Sequence, residues 1–352
     1  MVDFGLLLHA YGRATDTPGH LAALVDGDVE AKRAAQQHLW GAIIHQGTPW
    51  LATPPAALAV AELVNDPRLA GAEDAEMRAN LLRFLGAVAT AGRVTEVDAE
   101  ELTPAREAEL RAAIEDDEDD VIYGDEALGN AVYKRAVDGC REVTPAIAAA
   151  ARSALGDGDA RVRASAAATI GACGAQSDQL AGLAAKAEPD ERAAIVLTMA
   201  ELGQDTRPFL TDPHPGVRAC AALAPALADD EAATAEILAA LADPAAIETW
   251  FGTTPPQFSM HVRFPLVAAA VERVRDKARL LPAALALAPI ASISTARSDW
   301  GVLLRALPEA EQRQYLRALA RNEELWDPTN GSAGLVFQEA GLPYDRAASQ
   351  SA

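Results

Sequence analysis

"DGDARVRASAAATIG" at 157–171 and "DPHPGVRACAALAPAL" at 212–227 set an arginine in the same apolar surroundings twice. In the first, Val162-Arg163 is followed by Ala166 and Ile170; in the second, Val217-Arg218 is followed by Ala221. An aspartate stands six residues before each arginine, Asp157 and Asp212, where it can cap a helix, and Pro213 suits a first helical position. Residues three and four apart share a helical face, so each stretch reads as one buried stripe with a cation at its edge. A unit of this kind that recurs along a chain predicts stacked helical hairpins, an architecture built mostly for binding.

Working outward, the same setting surrounds other cations. Lys32 has Ala31, Ala35 and Leu39; Arg78 has Met77, Leu81 and Leu85; Arg192 has Ile195 and Met199; Arg263 has Val262, Leu266 and Ala270. Pro225, seven residues after Arg218, ends or kinks that helix. The anchors at 32, 78, 163, 192, 218 and 263 are separated by 46, 85, 29, 26 and 45 residues. Steps of 46 and 45 fit a two-helix repeat, 29 and 26 a shortened one, and 85 leaves room for a degenerate repeat.

The Asp…Val-Arg…Ala pattern resembles HEAT and HEAT-like repeats, including the short form of bilin lyases. The likeness spans about two-thirds of the chain and is strongest at 157–174 and 212–228. It implies that Asp157, Arg163, Arg192, Asp212, Arg218 and Arg263 make a ladder of contacts between repeats, with Lys186 replacing one expected aspartate. "HAYGRATDTP" at 9–18 and "LWGAIIHQGTPWLATPPA" at 39–56 also resemble bacterial HEAT-repeat proteins of largely unassigned function.

Composition agrees with an all-α fold, here expected as a HEAT-like α-solenoid of stacked antiparallel helix pairs. Half of the 352 residues are hydrophobic but only 5% are aromatic; alanine dominates, and runs of strand formers are nearly absent. The expected organisation is N-terminal repeats at 1–114, an acidic loop at 115–126, central repeats at 127–275, a C-terminal helical cap at 276–345 and a fraying tail at 346–352. The formal charge of −21 opposes nucleic acid and anionic membrane as partners, because both need clustered cations. Lysine occurs only at 32, 134, 186 and 277, an arginine bias that suits a GC-rich bacterial genome and, as the second reading, a salt-adapted one. Cys140, Cys173 and Cys220 are isolated among small apolar residues and read as free buried thiols in a reducing cytoplasm. No secretory or membrane-spanning pattern is evident.

Two clusters stand out as candidate sites. His38 and His45 are seven apart on one predicted helix, with Trp40, Gln46 and Trp50 close in sequence. A metal would need a third ligand that this helix does not supply, so neither metal nor cofactor is expected. His9 and Tyr11 could join only through the fold. The second cluster is "ETWFGTTPPQFSMHVRF" at 248–264, where Trp250, Phe251, Phe258 and His261 gather beside Arg263 on a long turn. Trp and Arg often anchor interfaces, although packing between repeats would use the same residues. The run "EDDEDD" at 115–120 has no EF-hand layout and reads as a solvated charge run, or as a contact for a basic partner.

No nucleophile elbow, P-loop or dinucleotide fingerprint is present, and the six histidines are dispersed. The expected function is therefore a non-catalytic adaptor, regulator or immunity-type binder, monomeric, holding a protein or peptide partner, with a basic one favoured. The alternative is a HEAT-like lyase or another enzyme that handles a small molecule.

Overall fold

The computed structural model describes residues 2–116, 124–326 and 331–352, with the backbone alone at 331 and 332. It is all-α apart from two minimal hairpins, and it divides into two compact units, Met1–Leu180 and Ala181–Ala352. This division falls inside the segment 127–275 that the sequence reading treats as one block. Most of the acidic run, 117–120, lies outside the described residues. Glu115 still belongs to a helix, and Glu126 opens another.

The first unit begins with β1 (Leu8–His9) and β2 (Gly12–Arg13), then α1 (Thr17–Asp26) and α2 (Val29–His38). A second hairpin, β3 (Ile44–His45) and β4 (Thr48–Pro49), leads into α3 (Thr53–Leu63) and α4 (Ala75–Ala91). Then come α5 (Pro104–Glu115), the long α6 (Glu126–Ala154) and α7 (Ala160–Ala172). The centre of the unit is α4, packed against α6 and α7, with α3 also on α6. Where α4 meets α7, the Thr169 hydroxyl donates to the Leu82 carbonyl at 2.8 Å.

In the second unit α8 (Pro189–Glu201) packs on α9 (Pro215–Ala222), α9 on α10 (Glu231–Leu241), and α10 on α11 (Arg263–Arg273). Five more helices follow: α12 (Leu281–Leu287), α13 (Trp300–Ala306), α14 (Glu309–Leu319), α15 (Gly331–Glu339) and α16 (Arg346–Ser351). Their core is aromatic where the rest is alanine-rich: Trp300, Tyr315 and Phe337 are fully buried. The tail, expected to fray, is instead the capped helix α16. Asp345 accepts from the Ala348 amide, and the Arg317 guanidinium holds the Ala352 carbonyl.

Every stripe residue named from the sequence is buried except Ala31, which is partly exposed, and Pro225, which opens a short 3-10 turn after α9 has ended. The anchor cations make one recurring contact. Lys32 donates to Asp74, just before α4, at 2.8 Å; Arg78 forks onto both oxygens of Asp157 at 3.3 Å. In the second unit Arg192 donates to Asp212 at 2.7 Å and Arg263 to Asp299, just before α13, at 3.0 Å. In each case a cation on one helix holds an aspartate at the start of a later one. Arg163 and Arg218 also turn back, to the backbone carbonyls of Asp157 (2.8 Å) and Asp212 (3.0 Å), and Arg218 pairs in addition with Glu236 of α10 at 2.8 Å. Near Lys186, where the aspartate is missing, Arg192 makes the equivalent turn to the carbonyls of Ala184 and Ala187.

One detail of the capping differs from expectation. Asp157 and Asp212 lie two residues before the true caps: their carboxylates accept the amides of Asp159 and His214, both at 2.8 Å. Asp159 caps α7, and Pro215, not Pro213, is the first residue of α9. Set back by two residues, each aspartate keeps an oxygen for the arginine of the earlier helix.

Candidate functional site

The N-terminal cluster forms through backbone geometry that helical periodicity does not encode. After His38 the chain makes a π-helical turn over Leu39–Ile43 and enters β3, so His45 lies on a strand and not on the helix of His38. Gln46 and Gly47 close that hairpin with φ of 51° and 84°, the paired positive values of a tight two-residue turn. The first hairpin docks beside it: the Ala10 amide donates to the Ala42 carbonyl, and the Ala52 amide to the Leu8 carbonyl, both at 3.0 Å. These bonds carry His9 and Tyr11 to the end of α2.

There, His9 Nε2 is 3.1 Å from Asp16 Oδ1, and His38 Nδ1 is 3.8 Å from Asp16 Oδ2. The Tyr11 amide donates to His9 Nδ1 at 3.1 Å, so the proton of a neutral His9 lies on Nε2, facing Asp16. On the far side of its ring, His38 Nε2 is 2.9 Å from the buried Thr17 hydroxyl. His20 stacks on His38 with ring centroids 4.2 Å apart. Burial holds the His38 imidazole down at about 4 despite the opposing pull of Asp16, with His20 and His9 adding to the fall; the ring is neutral near pH 7. Asp16 titrates below the ordinary carboxylate value: partial burial acts against this, and His38 and His9 outweigh it. The groups line a pocket of about 520 Å³, with the largely exposed Tyr11 at its edge.

The other residues singled out nearby lie apart from this cluster. His45 donates through Nδ1 to the Gly41 carbonyl at 2.8 Å, with the Tyr11 hydroxyl 3.5 Å away. Trp40 is 38% exposed, meets Phe84 edge-on and donates to Asn80 at 3.1 Å. Gln46 is exposed in the turn, and Trp50 packs on the small core of Leu8, Leu110, Ile114, Leu128 and Val132. Asp16 and His20 escaped sequence reading. The signal available for them was "DTPGH" at 16–20, a polar residue and proline at a helix start.

The second cluster, in the other unit, separates into two roles. Trp250 and Phe251 are partly buried against the core; the Phe251 ring lies over Gly216, where a Cβ would come within 2.4 Å of it. Phe258 and His261 instead line a groove of about 640 Å³ with Leu223, Met260 and Phe264. Met260 is 58% exposed, a long apolar side chain left to water. Glu201 and Glu272 stand at this groove and are exposed, while the nearby Arg273 guanidinium is engaged by the carbonyls of Ala222, Leu223 and Ala224. His261 Nδ1 pairs with Glu248 at 2.8 Å, and the same glutamate meets Arg263.

No protein-family model matches the chain, and no curated protein or solved structure matches it either. No helix among the described residues is long and apolar enough to cross a membrane.

Proposed function

We propose that the protein is a non-catalytic interaction module, a HEAT-like α-solenoid whose second unit holds a basic protein or peptide segment in the groove beside 257–265. The carrying observation is the groove itself. Phe258, Met260 and Phe264 offer apolar surface, with Met260 more than half exposed, and two glutamates and one arginine, Glu201, Glu272 and Arg273, flank it. A flexible methionine among aromatic rings adapts to varied apolar anchors. The exposed Glu272 suits a lysine or arginine beside that anchor, and the chain's charge of −21 speeds encounter with a cationic partner while repelling nucleic acid. The recurring cation–aspartate contacts support the repeat reading, since each joins one helix to the start of a later one.

The test uses tagged full-length protein in its native cell, with partners identified by mass spectrometry and binding then measured on the purified pair. Phe258→Ala and Met260→Asp should each weaken that binding at least about tenfold, as loss of an anchor does. Trp40→Ala should leave it unchanged. Binding equal to wild type in folded groove variants contradicts the groove as the docking surface.

A further inference from the structure

We propose that His9, Asp16 and His38 form a three-ligand site for a borderline divalent transition ion of the Zn²⁺ class, open on its pocket side. One ligand atom from each residue lies within 4.8 Å of the others. An ion held at about 2.0–2.2 Å from imidazole nitrogen and carboxylate oxygen needs donors roughly that close, and small side-chain adjustments bring them onto it.

The donors come from three separate segments: His9 from β1, Asp16 from the residue before α1, and His38 from the last residue of α2. One is fixed by a neighbour that is not a ligand: Thr17, fully buried, engages His38 Nε2 and so directs Nδ1 toward Asp16. At 3.8 Å, His38 Nδ1 and Asp16 Oδ2 are too far apart for a direct hydrogen bond, a spacing that a shared cation bridges. To ligate through Nε2 a neutral His9 carries its proton on Nδ1 instead, so binding shifts the tautomer and gives up the hydrogen bonds that the Tyr11 amide now donates to Nδ1 and that Nε2 now makes to Asp16. Arg13 is the cation lining the pocket; its guanidinium is engaged by the carbonyls of Gly5 and Glu115. Two imidazoles and a carboxylate without thiolate select Zn²⁺, Co²⁺ or Ni²⁺ over Ca²⁺ or Mg²⁺, which take oxygen shells. The pocket side leaves room for water as a further ligand, so the ion would be both a clip between hairpin and helices and an exchangeable coordination position.

The test is equilibrium dialysis of the chelator-stripped full chain against Zn²⁺ alone, read by metal analysis, together with the visible spectrum of the Co²⁺ form. One Zn²⁺ per chain is expected. Asp16→Asn and His9→Gln should each weaken it at least about tenfold, while His261→Gln, at the histidine of the second unit's groove, leaves it unchanged. Asp16 is half exposed, so its variant loses no core volume. Were either ligand variant to misfold, the wild-type Co²⁺ spectrum decides: four- or five-coordinate bands without thiolate charge transfer support the site, and an octahedral aquo spectrum contradicts it. Zn²⁺ retained equally by the folded ligand variants, or no stoichiometric Zn²⁺ in wild type, overturns the proposal. None of these results depends on whether Phe258 and Met260 bind a partner.

Discussion

Arg78 lies buried with its guanidinium forked on Asp157, so breaking that pair from the acid side strands a charge in the core. Asp157→Ala should cost about 3–5 kcal/mol in urea unfolding, whereas Asp74→Ala, which frees the more exposed Lys32, should cost about 1 kcal/mol. The reverse order would mean that the buried contact is not what holds the first unit's helices in register. The three thiols give a second check at this scale. Burial pushes Cys140 and Cys173 up to about 12 and Cys220 higher still. At pH 8 all three are thiols and not thiolates, so the native chain should resist alkylation by iodoacetamide and the unfolded chain should take up three equivalents. Cys173 is only partly buried, contrary to the sequence expectation, so rapid modification at Cys140 or Cys220 is the result that would contradict their burial. The stripe residues were legible because burial at spacings of three, four and seven is written in side-chain type. The acids that these cations hold, Asp74 and Asp299, were not, because they meet Lys32 and Arg263 from 42 and 36 residues away.

Between elements, closeness depends on small residues. At Gly92, the cap of α4, an added Cβ would meet the backbone of Cys140 and Arg141 in α6 at 2.7–3.0 Å, and backbone cannot yield without moving the helix. Gly92→Ala should therefore destabilise by about 1–3 kcal/mol, while Gly86→Ala, whose nearest neighbour is the Thr169 hydroxyl at 3.5 Å, should cost little. Thermal unfolding of the two variants separates them, and equal melting temperatures would show that α4 and α6 have slack. The same scale explains where sequence reading failed. A helical stripe through "HLWGAIIH" at 38–45 ignores the π-helical turn and hairpin that follow His38, although "QG" at 46–47 signals a tight turn. The cap positions slipped by two residues because "DGD" and "DPHP" each offer more than one plausible start. The cluster around Asp16 depends on hairpin-to-helix bonds such as Ala10 to Ala42, which no local pattern records.

At the scale of the molecule, each unit has its own core, and the two candidate sites fall one in each: the imidazole–carboxylate cluster in the first, the methionine-rimmed groove in the second. The all-α class and the recurrence of the anchors follow from composition and periodicity. Their division at 180/181 does not, because it depends on which helices share contacts. The chain alone should run as a monomer in light scattering, since its net charge of −21 makes two copies repel each other. The most direct measurement of the central claim is hydrogen exchange of the full chain with and without its purified partner. The account predicts slowed exchange over 257–273, which spans the groove loop and α11, with the region around 38–50 unchanged. Protection confined to the first unit, or none in either, would contradict it.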